Sequence, residues 1–171
     1  MKTILLLLLP FGAFCQCPVG GSSRAHAHED SLKNRSDTGI VKFISLSDLM
    51  NDSNRYSENT YVRTVGYIRK VKYGGSETCN CHSVDKDDQD YHIELVPDSG
   101  YHGLPLIAEI NRYVRPVTFE QLKTLVGKVV TIEGWIFIDE SHWQNAVNSN
   151  PKGTDLWRET DIEIHPVIKI Q

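Results

Sequence analysis

The sequence predicts an all-β domain of five strands, with one helix between the third and fourth strands. Three features carry this prediction: segments in which apolar and polar residues alternate, glycines in the middle of the two longest segments, and one capped amphipathic helix. Alternation of apolar and polar residues is the pattern of a strand with one buried face, whereas a period of about 3.6 residues indicates a helix. The alternating pattern begins near residue 41.

The strands can be assigned in chain order. A short apolar segment at residues 41–44 and a brief helical turn at 45–50 come first. The five main strands are expected over residues 61–73, 90–96, 104–110 and 128–139, and from residue 160 past Pro166. Gly66 and Gly134 lie in the middle of the first and fourth of these strands, where a glycine indicates a bend in a coiled sheet.

The helix follows Pro116. Thr118 and Gln121 have the spacing of a capping box, in which each side chain satisfies a backbone amide at the start of the helix. An apolar stripe follows, and Gly127 is expected to end the helix. The stripe consists of Phe119, Leu122, Leu125 and Val126.

Three strands, a helix and two strands within roughly 110 residues form the element order of the OB fold, a five-stranded, partly open Greek-key barrel. The helix is expected to close the bottom of the barrel. We therefore assign residues 41–171 to one OB-like barrel domain. Residues 62–68 and 127–135 resemble the first and fourth strands of OB-fold proteins.

The end of the chain resembles the closing motif of a family of exported bacterial OB-like proteins. The motif is similar to Trp-Arg-x-Thr-x-aromatic-Glu-Ile-His-Pro-Val, and residues 157–167 match it except at Asp161 and Ile162. Two internal runs resemble further motifs of that family: Asp90-x-His92-Ile93 and Asp139-x-x-His142. The resemblance covers about residues 60 to 170, and it implies the fold rather than a particular chemistry.

The N-terminus predicts export. Lys2 precedes an apolar run, Ile4 to Leu9, and small residues follow, as in a secretory signal peptide over residues 1–15. The run is shorter than the roughly 20 apolar residues that a transmembrane helix needs. Bulky Phe14 beside Cys15 argues against lipid attachment to that cysteine. The mature protein is therefore expected to be secreted or periplasmic, with no transmembrane segment.

Residues 16–40 lack apolar periodicity and are rich in Gly, Ser, Asp and Asn, which predicts a flexible linker. Three cysteines remain after cleavage: Cys17, Cys79 and Cys81. An exported chain meets oxidising conditions, so a disulfide is expected. Cys79 and Cys81 are too close in sequence for an unstrained bond. Cys17 can pair with either of them, which leaves the pairing open.

Composition narrows the function. The chain has 171 residues, with 18 Lys and Arg against 22 Asp and Glu, a net charge of -4. This length and an ordinary apolar content fit one globular domain. The acidic balance argues against a generic polyanion binder, because nonspecific nucleic-acid affinity comes from excess Lys and Arg. No Gly-x-Ser-x-Gly elbow, phosphate loop or dinucleotide fingerprint is present.

OB-fold barrels bind oligonucleotides or oligosaccharides across their second and third strands. Cations and aromatic rings suit single-stranded nucleic acid, and the sequence supplies both near those strands. The alternative is a solvated strand face on which the tyrosines pack across strands. The candidate ligand-binding residues are Arg63, Tyr67, Arg69, Lys70, Tyr73, Arg112 and Arg115.

A second group of polar residues predicts a metal site. Alternate side chains share a face of a strand, so Asp90 projects with His92, and Glu163 with His165. With His142 from the preceding loop, they can hold zinc or another divalent metal, and such a metal can activate water for hydrolysis. Alternatively, these histidine–carboxylate pairs only satisfy hydrogen bonds on a polar face.

The sequence thus favours an exported, non-catalytic OB-fold binding module without a cofactor. Its ligand, an oligonucleotide, an oligosaccharide or a protein partner, is left open, as is its oligomeric state. The alternative function is a metal-dependent, nuclease-like hydrolase that uses the His and carboxylate residues.

Overall fold

The computed structural model describes residues 17–51 and 55–171, and the predicted signal peptide lies outside them. The helices are α1 (Ala27–Lys33), α2 (Leu46–Asn51) and α3 (Phe119–Lys123). The strands are β1 (Lys42–Phe43), β2 (Tyr61–Tyr73), β3 (Tyr91–Val96), β4 (Leu106–Ile110), β5 (Val129–Ile138) and β6 (Ile162–Ile170). Within these described ranges, no helix has the length and apolar character needed to cross a bilayer.

Strands β2 to β6 form one closed barrel in the order β2-β3-β4-β6-β5, and β5 pairs back onto β2. Neighbouring strands are antiparallel except β4 and β6, which run parallel. Counted from β2, the third and fifth barrel strands pair and the first closes on the fourth. This is the Greek-key arrangement of the OB fold, so the predicted fold class is confirmed.

Strand β2 spans two sides of the barrel, as its central glycine predicts. Residues 61–67 pair with β5, and residues 67–73 pair with β3. Gly66 lies just before this change of partner, and a Cβ there would lie 2.9 Å from Leu46 Cδ2. Gly134 allows a similar close approach in β5, where a Cβ would lie 2.4 Å from the Pro166 carbonyl oxygen. At Gly134 the neighbouring backbone occupies the space of a side chain, so this position requires glycine, whereas at Gly66 the nearest atom is the end of the Leu46 side chain.

The barrel interior is filled by the side chains at alternate positions of each strand. Ile93 and Leu95 of β3 are fully buried, and so are Leu106 and Ala108 of β4 and Ile164 of β6. These residues belong to a single apolar cluster that also includes the buried side of α2. Burial of a Leu or Ile side chain contributes about 1.5 to 3 kcal/mol to folding. The side chains at the other positions of β3, β4 and β6 therefore face the outside of the barrel.

Helix α3 closes one end of the barrel as predicted. Thr118 Oγ1 accepts from Gln121 N–H, and the Gln121 side chain accepts from Thr118 N–H. Leu122 is fully buried, and the Phe119 ring stacks on Tyr73 at 3.9 Å between centroids. The helix ends at Lys123, earlier than the predicted stripe, and Gly127 adopts a φ of 82° in the turn that leads into β5.

The N-terminal segment differs from the flexible linker that its composition predicts. Helix α1 lies within it, and Cys17 is bonded to Cys81 in the loop between β2 and β3. The buried Asn34 side chain donates to the Cys79 carbonyl oxygen at 2.8 Å, and Thr78 Oγ1 donates to Asp30 Oδ1 at 2.8 Å. Polar side chains and a disulfide fix this segment, and such contacts leave no apolar periodicity in the sequence.

Candidate functional site

A cavity of about 510 Å³ lies on the outer face of β3 and β4. His92 of β3 and Glu109 of β4 line it together with Gly74 and Thr78 of the β2–β3 loop. The β5–β6 loop supplies Ser141, His142 and Trp157, and α1 supplies a further wall with Asp30 and Lys33. These two strands and these two loops form the surface on which OB folds bind ligands.

The register of the sheet brings ionisable side chains together beside this cavity. His92 and Glu109 are cross-strand partners in the β3–β4 pair. Glu163 lies opposite Ile107 in the β4–β6 pair, on the outer face of the barrel. The next residue of β4 on this face is Glu109, and the next residue of β6 on it is His165. All four side chains are at least nine-tenths buried. The polar side chains on the outer face of three adjacent strands thus form one buried cluster.

The cluster is centred on His165. Its Nε2 lies 3.3 Å from Asp90 Oδ2, and its Nδ1 lies 3.4 Å from Glu163 Oε2 and 3.6 Å from Glu109 Oε2. One ligand atom from each of Asp90, Glu109 and His165 can be chosen so that all lie within 4.8 Å of one another. His92 adds a contact on the cavity side, with Nδ1 2.9 Å from Glu109 Oε1.

Several polar atoms of the cluster remain without hydrogen bonds. Nε2 of His92 and Oδ1 of Asp90 are buried and have no hydrogen-bond partner among the described residues. The His165 Nε2 contact with Asp90 also lacks hydrogen-bond geometry. Buried polar atoms in folded proteins are nearly always satisfied by protein groups, ordered water or a bound ion.

Burial and neighbouring charges shift the pKa values of the cluster residues. Burial raises the pKa of Asp90 and of Glu163. Burial alone would also raise the pKa of Glu109, but contacts with His92 and His165 lower it to about 2. Burial lowers the pKa of His165, yet the adjacent Asp90 and Glu163 carboxylates outweigh this effect and raise it to about 10. His165 is therefore a cation among carboxylates at neutral pH.

Arg158 connects the cluster to the β5–β6 loop. Its side chain is fully buried, and Nη1 donates to Asp139 Oδ2 at 2.8 Å and to Glu163 Oε1 at 2.9 Å. His142 Nδ1 lies 2.7 Å from the same Asp139 oxygen. Burial would raise the pKa of Asp139, but His142 and Arg158 hold it well below its usual range.

The connected network carries more negative than positive charge. Its buried carboxylates are Asp90, Glu109, Asp139 and Glu163. These groups face two buried cations, Arg158 and protonated His165, and the half-exposed His142 lies beside Asp139. Lys33 on the cavity wall already has a carboxylate partner, since its Nζ lies 2.8 Å from Glu77 Oε2. The network is therefore rich in buried carboxylates.

Four of the five residues that the sequence predicts as metal ligands meet in this cluster. They are His92, His165, Asp90 and Glu163. His142 does not join them directly, because its Nδ1 contacts Asp139 at the cavity wall. Sequence reasoning missed Glu109, although antiparallel pairing of the second and third predicted strands places it opposite His92. The apolar residues on both sides of Glu109 hide it in the sequence pattern.

The predicted ligand-binding residues are distributed around the barrel. Arg63 Nε donates to Glu133 Oε1 at 2.7 Å, and its guanidinium lies over the exposed Phe43 ring. Arg69 and Lys70 both contact Glu94. These cations are therefore compensated by carboxylates within the sheet.

The remaining members of that set lie elsewhere. Tyr73 packs on Phe119 at the closed end, and Arg115 lies over the Tyr91 ring and donates to the Gln89 carbonyl oxygen. Arg112 pairs with Asp88, and Tyr67 lies opposite Val129 in the β2–β5 pair. None of the seven lines the cavity except Tyr73.

No known protein family and no curated protein matches the sequence. Among solved structures, the chain is similar to the asparaginyl-tRNA synthetase of Entamoeba histolytica, with a TM-score of 0.42 and 17% sequence identity. The aligned region covers 78% of this chain and 24% of the synthetase chain, so the protein spans about a quarter of the synthetase. A similarity this low carries no conclusion about function, and the OB-fold assignment rests on strand order and register.

Proposed function

We propose that the protein is an OB-fold binding module whose primary ligand is a divalent transition-metal ion beside the cavity. The proposal rests on one observation: ligand atoms of Asp90, Glu109 and His165 lie within 4.8 Å of one another and are buried. Imidazole and carboxylate ligands suit zinc, with other divalent transition metals as competitors. The site adjoins the surface that OB folds use for ligands.

Charge and hydrogen bonding support a metal ion over a closed network of hydrogen bonds. A purely structural network would satisfy its buried atoms, whereas Nε2 of His92 and Oδ1 of Asp90 have no partner in the described part of the chain. As a metal ligand His165 has to give up its proton, so the four buried carboxylates would then face Arg158, and a divalent ion would offset further negative charge. The buried carboxylates of the cluster also favour a cation over the negatively charged phosphate backbone of a nucleic acid.

Zinc binding to the purified, untagged protein tests this proposal. The protein is loaded with zinc, dialysed free of excess metal and analysed by elemental mass spectrometry, and the affinity is measured by isothermal titration calorimetry. We expect about one zinc ion per chain in the wild type. Glu109→Gln and His165→Gln should each weaken zinc binding at least about tenfold, because each removes a direct ligand.

Glu133→Gln is the matched control. Glu133 is a buried carboxylate with Arg63 and Lys169 as partners, and it lies outside the cluster. The control should bind zinc like the wild type. A folded wild type that takes up none of zinc, cobalt, nickel or manganese would overturn the proposal and leave the cluster with a structural role.

A metal-dependent hydrolase is the second candidate. It is favoured by the cavity itself, because Glu109 and Glu163 line it and a metal bound there would meet water and substrate. The test compares zinc-loaded and metal-stripped protein on p-nitrophenyl phosphate, bis-p-nitrophenyl phosphate and p-nitrophenyl acetate. Turnover that requires zinc and is lost in Glu109→Gln supports a hydrolase. Equal rates with and without zinc would reject it.

We also propose that the protein acts outside the cytoplasm. The Cys17–Cys81 disulfide supports this location, since such bonds persist mainly in oxidising compartments. The signal-peptide pattern in residues 1–15 points the same way. Cell fractionation with N-terminal sequencing tests it: a mature N-terminus near residue 16 in the exported fraction is expected. An uncleaved chain in the cytoplasm would contradict it.

The oligonucleotide, oligosaccharide and protein ligands that the sequence suggests remain predictions. Four of the five basic residues predicted to bind them already contact carboxylates: Arg63, Arg69, Lys70 and Arg112. A nucleic-acid ligand would have to displace these carboxylates, which lowers the gain from each new phosphate contact.

A further inference from the structure

Cys79 is a buried thiol beside the carboxylate cluster. Its Sγ lies 4.0 Å from Asp90 Oδ2 and 3.6 Å from Glu77 Oε2, and the residue is 1% exposed. Within residues 17–51 and 55–171, it is the cysteine that forms no disulfide. Free cysteines in protein interiors usually behave as small apolar side chains, whereas this thiol contacts two carboxylates.

The loop that carries Cys79 is fixed from two sides. Cys81, two residues later, is bonded to Cys17, and the Asn34 side chain donates to the Cys79 carbonyl oxygen at 2.8 Å. Asp90 immediately precedes β3, so the carboxylate that the thiol contacts is fixed by the sheet. The disulfide and the sheet thus hold the thiol and the carboxylate in a defined relation.

The Nε2 side of His165 faces the same carboxylate. Nδ1 of His165 lies 3.4 Å from Glu163 Oε2, and a carboxylate at one ring nitrogen keeps the proton there and leaves the other nitrogen to bind a metal. That other nitrogen, Nε2, has no hydrogen-bond partner in the described chain and lies 3.3 Å from Asp90 Oδ2. The same Asp90 oxygen is therefore a neighbour of both the imidazole and the thiol.

These separations are close to the ligand spacing of a tetrahedral zinc site. With zinc bonds of about 2.0 Å to oxygen and nitrogen and about 2.3 Å to sulfur, neighbouring ligand atoms lie about 3.3 to 3.5 Å apart. The His165–Asp90 separation of 3.3 Å has this value, and the Cys79–Asp90 separation of 4.0 Å is about 0.5 Å longer. Structural zinc sites have four protein ligands, of which Asp90, Glu109 and His165 supply three.

We infer that Cys79 Sγ is the fourth ligand of the proposed metal ion. This inference rests on the proposed metal site, and it adds a soft donor that favours zinc over manganese. On binding, the S–H bond breaks, a bond from Sγ to the metal forms, and the proton passes to solvent, as does the Nε2 proton of His165. Four protein ligands leave no open position for a substrate, so Cys79 makes the site a closed one and disfavours the hydrolase.

Cobalt(II) is the probe that tests this inference, because a cobalt–thiolate bond gives a charge-transfer band in the near ultraviolet. Mature, metal-free protein, whose disulfide is verified by peptide mass spectrometry, is titrated with cobalt under argon. The wild type should show this band together with the visible bands of four-coordinate cobalt. Cys79→Ser should bind cobalt about tenfold or more weakly and without the charge-transfer band, because the sulfur ligand is lost.

Cys17→Ser/Cys81→Ser is the matched control, because it leaves Cys79 as the one cysteine between residues 17 and 171. Its charge-transfer band should persist, which attributes the band to Cys79 and not to a reduced disulfide. Circular dichroism establishes that each variant is folded. If Cys79→Ser does not fold, the wild type with its disulfide intact and this double variant decide the question.

The outcomes separate this inference from the proposal on which it rests. A wild type that takes up neither zinc nor cobalt overturns the metal site and its fourth ligand together. Cobalt uptake by the wild type without a charge-transfer band overturns the Cys79 ligand and leaves the metal site in place. A band that persists at full strength in folded Cys79→Ser also overturns the Cys79 ligand alone.

Discussion

His92 and Glu109 are direct partners across the β3–β4 pair, and His92 Nδ1 lies 2.9 Å from Glu109 Oε1. A carboxylate on one ring nitrogen fixes the histidine tautomer and leaves the other nitrogen as the acceptor that binds metals. In this pair the other nitrogen, Nε2, is the buried atom without a partner in the described chain. Glu109 thus orients the His92 ring through Nδ1, and Nε2 lies on the opposite side of the ring.

The first prediction concerns this pair. His92→Gln should weaken zinc binding about tenfold or more, because the imidazole that orients the Glu109 carboxylate is lost. Isothermal titration calorimetry measures the effect. His102→Gln is the control, since His102 is exposed and does not line the cavity. Unchanged affinity in His92→Gln would exclude His92 from the metal site.

The second prediction is that the Asp90 carboxylate favours metal binding but does not stabilise the metal-free protein. Burial raises the pKa of Asp90, so at neutral pH the folded protein loses stability by keeping this carboxyl ionised. Asp90→Asn removes that charge at nearly constant volume. The metal-free variant should therefore be as stable as the wild type or up to about 1 kcal/mol more stable.

The same variant should bind zinc more weakly, because a carboxylate ligand is lost. Urea unfolding of the metal-free proteins and zinc titration of the folded proteins give the two quantities. A variant that is clearly less stable without metal and binds zinc normally would assign Asp90 a structural role. Glu133→Gln, a buried carboxylate outside the cluster, is the matched control for the titration.

The third prediction concerns Arg158, which is fully buried between Asp139 and Glu163. Arg158→Met should destabilise the protein by about 3 to 5 kcal/mol, because two buried carboxylates lose their cation. Arg158→Lys should recover only part of this loss, since an ammonium cannot reproduce several guanidinium contacts.

Urea unfolding measures the loss, with Arg63→Met as the control. The Arg63 side chain is partly exposed in its pair with Glu133, so its removal should cost about 1 kcal/mol or less. Equal losses at the two positions would show that Arg158 does not compensate a buried charge.

The strand order of this fold was predictable from sequence, whereas the composition of the site was only partly so. Alternation in β3 and β4 and the capping box before α3 are local signals, and each forms as predicted. Glu109 was missed because its role depends on which strand lies beside it, a property of tertiary pairing. Side chains on both faces of β4 are buried, so the sequence pattern does not distinguish its one carboxylate, Glu109, from the residues around it.

Helix α1 was missed for a related reason. Its sequence, AHEDSLK, has no apolar stripe, and its only buried residue is Asp30. The segment is held by the disulfide and by side-chain hydrogen bonds to a loop more than forty residues away in sequence. Sequence periodicity reports apolar burial, so it cannot report a segment fixed by polar contacts.

The fourth prediction concerns that disulfide and the free thiol beside it. Cys17→Ser should lower the free energy of unfolding by about 2 to 4 kcal/mol, because the bond joins residues 64 positions apart. Urea unfolding measures it. Cys79 should resist iodoacetamide in the native protein, since burial raises the pKa of its thiol, and react once the protein is unfolded. Peptide mass spectrometry follows the labelling, and rapid native labelling of Cys79 would contradict the burial.

The fifth prediction concerns the pH dependence of stability at His142. A hydrogen bond from His142 to the Asp139 carboxylate raises the pKa of His142 above its usual value. The contribution of this pair is therefore fully present below the unfolded-state pKa, about 6.5, and is lost as pH rises through the folded-state pKa. His142→Gln should lower stability by up to about 1 kcal/mol near pH 6, because the half-exposed side chain is partly screened by solvent.

The difference between wild type and His142→Gln should shrink as pH rises above neutral. Asp139 does not obscure this trend, because its lowered pKa keeps it ionised over the same range. Urea unfolding of the metal-free proteins at a series of pH values measures the difference, with His102→Gln as the control for loss of an exposed imidazole. A difference that grows with pH has the opposite sign and would mean that neutral His142, rather than its cation, is the form that stabilises the loop.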